Sequence, residues 1–167
     1  MSLNQQAPLQ GTDIGFGGVA AGQFEPIGEV RVRSRKLAQT PAILRGQVLA
    51  IDKSGGNKGK IRTATTGDLP PFGMAVEDKA LNALTVRFIS QPGVKVNVVA
   101  GGAIAPNMPV TCDVTGKVKE AGTTDAIFGY YIKRAADVTD ADGASVTAAA
   151  ALNDVITVEM DTGGLGA

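Results

Sequence analysis

The stretch "GKIRTATTGDLPPFGMAV" (residues 59–76) returns in altered form as "GKVKEAGTTDAIFGYYI" (residues 116–132). Each opens on Gly-Lys, a β-branched residue and a second base. Each then passes through a Thr-rich knot that ends in an aspartate, Asp68 or Asp125. Each closes on Phe-Gly, at Phe72-Gly73 or Phe128-Gly129, ahead of an apolar run. A repeat of this kind predicts two similar units, each of three or four short strands and too little interior to stand alone.

The match spreads outward from there. "GQVLAIDKSGGNKGKIRTATTGDLPPFGMAVEDKA" lies over "NMPVTCDVTGKVKEAGTTDAIFGYYIKRAA", which puts Asp52 on Asp113, and "NALTVRF" lies over "NDVITVEM". The first copy has the longer turn, "SGGNKG". The second carries an insertion that spans residues 137–152. The units are read as 42–89 and 103–160. Two such sheets are expected to pack apolar face to apolar face around one interior, with Phe72 and Phe128 as matched core residues. Gly73 and Gly129 are expected where a strand bends or a neighbouring backbone passes close.

The rest of the chain from residue 28 agrees with a mainly β protein, a compact β-barrel or β-sandwich. In "EVRVRSRK" (29–36) Val30 and Val32 face one way and Arg31, Arg33 and Arg35 the other, as in a strand with one wet face. Short β-branched runs continue to "DVITVEM", separated by Gly, Pro, Asn and Asp turns. Only "SVTAAAALND" (145–154) predicts a short helix, with Ser145 as its N-cap. Residues 1–27 lack both the strand and the helix period. They are expected to form an extended N-terminal arm anchored by Ile14, Phe16, Val19, Phe24 and Ile27. Residues 28–160 form the duplicated β domain and 161–167 a flexible C-terminal tail.

Net charge is zero, so no global field draws the chain to nucleic acid or to an anionic membrane. The charge is unevenly placed, however: −2 over residues 1–28, +7 over 29–62 and −5 over 63–167. Basic face can then meet acidic face on a partner or on another copy. The N-terminus lacks the basic start and apolar run of a signal peptide, and no segment nears the ~20 apolar residues of a membrane span, which predicts a soluble protein.

Candidate chemistry is thin. There is no histidine, and the acids fall mostly in turns, where side-chain-to-backbone bonds account for them. No catalytic, cofactor-binding or metal-ligating residues are expected. "GFGGVA" (15–20) fits a dinucleotide fingerprint but lacks the strand before it and the helix after it. In "DVTDADG" (137–143) a calcium loop would put Val138 and Ala149 at ligand positions, so the set fails. "SGGNKGK" lacks the spacing and hydroxyl of a phosphate loop. Cys112, the single cysteine, reads as a small core residue. The stripe Arg31, Arg33, Arg35, Lys36 has no exposed aromatics to stack nucleotide bases, and reads better as a polar strand face or an electrostatic seat for a protein partner.

"AILRGQVLAIDKSGG", "FGMAVEDKA", "LTVRF" and "VVAGGAIAPNMPVTCDVTGKV" together resemble the small capsid decoration proteins, also called cement or head-stabilisation proteins, of tailed bacteriophages. The resemblance spans residues 28–160. It implies a β-clip-like, non-enzymatic structural protein made in the host cytoplasm and carried on the outer capsid surface of the virion. It also implies the major capsid protein as partner, self-association as a dimer or trimer, and no cofactor, nucleic acid or membrane. Ile14, Phe16, Phe24, Arg31, Arg33, Arg35 and Lys36 are then the capsid-contact candidates. Two other readings stand beside it: a surface-displayed β-module that binds carbohydrate or another protein, and a β-barrel enzyme with a carboxylate site.

Overall fold

The computed structural model describes residues 20–25, 30–38, 42–66, 71–80, 83–135, 137 and 148–161. The short alternating runs become strands: β1 (Phe24–Glu25), β2 (Arg33–Lys36), β3 (Val48–Ile51), β4 (Ile61–Thr63), β5 (Gly73–Ala75), β6 (Thr85–Ile89), β7 (Lys95–Val99), β8 (Pro109–Cys112), β9 (Val118–Glu120), β10 (Gly129–Arg134) and β11 (Val155–Met160). One 3-10 turn, Gly55–Asn57, is the helical element among the described residues. The helix expected over 145–154 is absent from the part described, 148–154. Ala150 and Ile104 instead exchange both backbone hydrogen bonds, at 3.2 and 2.9 Å. Pairing to a neighbour overrides alanine's helix preference there.

The strands form two open antiparallel sheets rather than a closed barrel, with orders β1-β7-β11-β10-β8-β9 and β2-β6-β5-β3-β4. Without β1, the two orders are the same: outer strand, last, third, first, second. Each copy is therefore five strands, one more than units 42–89 and 103–160 contain. The backbone bonds repeat as well. Phe72 N–H donates to Leu49 O (2.6 Å) as Phe128 does to Val110 O (2.7 Å). Ala75 N–H donates to Gln47 O as Tyr131 does to Met108 O, both at 3.0 Å.

The repeated Gly-Lys is explained by the β3–β4 and β8–β9 turns. Gly59 and Gly116 sit at φ of 82° and 79°, where a side chain is strained. Asp52 Oδ1 accepts from the Ser54 N–H and hydroxyl, at 2.8 and 2.7 Å. Asp113 Oδ1 does the same for Thr115, at 2.6 and 2.7 Å. These are side-chain-to-backbone turns, as the sequence implied for its turn acids.

The two sheets share an interior, but through non-equivalent faces. Val48, Ala50, Met74, Val76 and Ile89 of the first copy meet Val96, Val98, Val110, Cys112, Val118, Phe128, Val158 and Met160 of the second. The hydrogen bonds above match Val110 to Leu49, not to Val48. Strands alternate faces, so the second copy uses the face that carries Val110 while the first uses the face opposite Leu49. The copies stack front to back. The face of the first copy that remains carries its own cluster of Ile43, Leu49, Ile61, Ala75, Val86 and Phe88, with Leu37, Ile51 and Phe72 packed on it. On the other face of the second copy the buried Thr157 hydroxyl donates to Asn97 Oδ1 at 2.9 Å.

Phe24 corrects the sequence reading. It is 3% exposed and belongs to the shared core. It is held there because β1 adds to the outer edge of β7, in the register Phe24↔Val96, Glu25↔Lys95. A buried side chain is no capsid contact. Ile14, Phe16, Val19 and Ile27 lie outside the described residues, as do Asp68, Ser145, the tail at 162–167 and residues 138–147 of the insertion.

Candidate functional site

The basic residues that the sequence singled out are brought together on one strand edge. Arg33, Ser34, Arg35 and Lys36 form β2, all four exposed. β2 ends its sheet and pairs on its inner side with β6, Arg33 opposite Phe88 and Lys36 opposite Thr85. Val30 and Val32 turn towards the shared core and fix the strand's orientation. Alternation then sets Arg31, Arg33 and Arg35 on the other face. Arg35 is seated there by contact: its guanidinium lies 5.6 Å from the Phe72 ring centroid, and that ring is tilted against Phe88 at 5.1 Å. A cation over a ring face is attracted by the ring's quadrupole, which helps to hold this arginine against the surface.

Each end of β2 opens into a cleft. One, of about 340 Å³, is lined by Arg31, Arg33, Ser90, Gln91 and Pro92, and the Arg31 N–H donates to Gln91 Oε1 across it at 3.3 Å. The other, of about 550 Å³, is lined by Lys36, Leu37, Asn57, Lys60, Ala83, Leu84 and Thr85. Leu84 stands 83% exposed beside two lysines. An apolar tip ringed by bases suits a partner with both acidic and apolar residues. Leu84 was not legible as a surface residue, because it continues the apolar alternation of Val86 and Phe88, which are buried.

The other marked residues serve the fold. Gly73 and Gly129 lie where a side chain would strike the neighbouring strand: an added Cβ would collide with Ile89 O at one and Glu159 O at the other. Phe128 is fully buried in the shared core, whereas Phe72 is half-buried against the outer cluster of the first copy. Cys112 is buried, its thiol donating to Thr65 O at 3.2 Å. Asp125 Oδ2 accepts from the Gly122 N–H at 2.9 Å. Among the described residues no group of three His, Cys, Asp or Glu side chains could hold a metal ion.

An ion cluster around Glu77 is structural too. Glu77 accepts from the Arg87 N–H and Nε at 2.8 and 2.9 Å, and Lys79 Nζ lies 3.1 Å away. Burial pushes this carboxyl up, but the Arg87 backbone and side-chain bonds, with Lys79, outweigh it and hold it below its ordinary 4.5. A carboxylate depressed on folding stabilises fully above its unfolded value and loses that contribution as pH falls through the lower folded one. Thermal melts from pH 7 down should therefore show a loss of stability below about pH 4.5 that is smaller in Glu77→Gln. Parallel curves for the two proteins would show that the cluster does not contribute.

No protein-family model and no curated protein matches the chain. Among solved structures, the chain is similar to the N base of the head fiber gp8.5 in bacteriophage phi29, at 17% identity and a TM-score of 0.57. The similarity covers 82% of this chain and 100% of that one. At that identity it establishes a shared fold, two antiparallel sheets without a closed barrel.

Proposed function

We propose that this chain is a structural protein of a tailed-bacteriophage virion, without enzymatic activity, that seats on the outer capsid surface and stabilises the shell as a decoration protein. The observation that carries this reading is the fold shared with a phage head-fiber N base along the whole of that solved chain. The exposed basic edge at Arg33–Lys36 supports it by offering a seat for a protein partner. The major capsid protein is that partner in this reading, and the chain acts as a dimer or trimer.

A protein that binds assembled shell and not free subunits stabilises the shell by mass action, and several copies joined at a symmetry axis raise one another's effective concentration. Purified chain mixed with empty shells of the co-encoded capsid protein should sediment with them to saturation and raise their melting temperature. Chain left in the supernatant at every shell concentration would refute the reading. The carbohydrate-binding alternative has less support. Such modules present aromatic platforms, and Tyr130 alone among the described aromatics is exposed.

A further inference from the structure

We infer that the outer edge of β2 is a strand acceptor for an extended, acidic segment of the protein on which this chain sits. The internal duplication carries the inference. β2 and β7 hold the same place in the two sheets, each the outer neighbour of its copy's last strand. Their backbone bonds agree. Leu37 N–H donates to Leu84 O as Ala100 does to Asp154 O, and Ala38 N–H donates to Ile61 O as Gly101 does to Val118 O. Arg33 opposite Phe88 therefore corresponds to Val96 opposite Val158.

On the second copy that edge is filled. β1 lies along it, with the Gly22 N–H donating to Asn97 O at 2.7 Å and the Asn97 N–H to Gln23 O at 2.8 Å. On the first copy no described strand lies along the corresponding edge. The backbone geometry that accepts β1 is thus present twice and used once among the described residues.

The chemistry at the second edge names the occupant. Beside β1 the edge presents Val96, and its incoming partner is Phe24. Beside β2 the same position is Arg33, flanked two residues away on the same face by Arg31 and Arg35. Side chains directly opposite on paired strands lie about 4.5–5.5 Å apart, so a strand whose alternate residues are Glu or Asp would set a carboxylate against Arg33 and another against Arg35. The cleft of Arg31, Arg33, Ser90, Gln91 and Pro92 leaves room beside Arg33. Basic side chains on an edge also discourage indiscriminate strand pairing. An acceptor differs from a guard in preferring one kind of strand.

The source of the strand rests on the capsid-bound reading, but the acceptor does not. The probe is a short labelled peptide of alternating valine and glutamate, capped at both ends, titrated into the full chain by fluorescence anisotropy. It should bind at least tenfold more tightly than a valine–lysine peptide. The double variant Arg33→Glu, Arg35→Glu should reverse that preference while its thermal melt stays near the parent's, both side chains being exposed. Hydrogen exchange at Arg33–Lys36 should slow on binding, and methylating alternate peptide nitrogens along the pairing edge should abolish it. Three results would overturn the inference: equal binding of the two peptides, undiminished binding of the methylated one, or amides in 33–36 already slow to exchange on both edges of the free protein. Peptide binding without shell binding would instead leave the acceptor standing and remove the capsid.

Discussion

Gly129→Ala should destabilise the protein by about 3 kcal/mol, at the upper end of the range for forcing a methyl group into packed structure. Gly73→Ala should cost nearly the same. At each position the added Cβ meets backbone, not a movable side-chain tip: the carbonyl of Glu159 beside Gly129 and the carbonyl of Ile89 beside Gly73. Gly129 is also crowded by Val158 Cγ1, at 2.7 Å from that Cβ, so it should suffer more. Relief requires β10 to part from β11, or β5 from β6, which loosens the ladder at the centre of each sheet. In a chain of this length ~3 kcal/mol corresponds to a fall of roughly 6–12 °C in melting temperature. Gly56→Ala is the control, since nothing lies within 4 Å of its added Cβ. It should stay within about 0.5 kcal/mol of the parent. A silent Gly129→Ala would mean that β10 and β11 do not approach as described.

That pair of glycines also shows how far the sequence could be read. Phe-Gly appears twice in it, and the structure gives both copies the same close approach, because the geometry of one strand pair is used twice. The turns at Asp52-Ser54 and Asp113-Thr115 were legible for the same reason: a local bond needs only local residues. Residues 29–36 read as a strand, but that β2 and β7 are the fifth strands of the two units did not show. β2 and β7 occupy one place in the fold, yet β2 sets Arg33 and Arg35 where β7 sets Val96 and Val98. One faces solvent and the other the shared core, so selection for packing gave them no common wording.

β1 was hidden by a different cause. Its two residues stand in a Gly- and Ala-rich stretch without period, and what buries Phe24 is the register with Val96 across the sheet. Pairing at long range leaves no mark on a short segment's own pattern. The basic stripe was legible as a stripe, because three arginines in alternation read directly from the sequence. Its position at an open edge was not, since strand order is a property of the whole sheet.

Phe128→Ala should cost about 3–5 kcal/mol, as expected when a fully buried aromatic leaves a cavity, while Phe72→Ala should cost about 1–2 kcal/mol. The two residues are equivalent along the chain and in the backbone, each donating its N–H to the first strand of its copy. They differ because the copies stack front to back. That arrangement presses the face bearing Phe128 against the first sheet and turns the face bearing Phe72 outward, where the ring is half-buried beneath Arg35. Had the copies met through equivalent faces, the two phenylalanines would share one environment and one cost. Chemical denaturation of the two variants distinguishes these cases. Equal losses would rule out front-to-back stacking, and a larger loss at Phe72 would place the main interior on the other side of the first sheet. Arg35→Ala should lower stability by less than about 1 kcal/mol through its exposed ring contact, so the arginines of β2 can be changed to test binding without unfolding the protein that carries them.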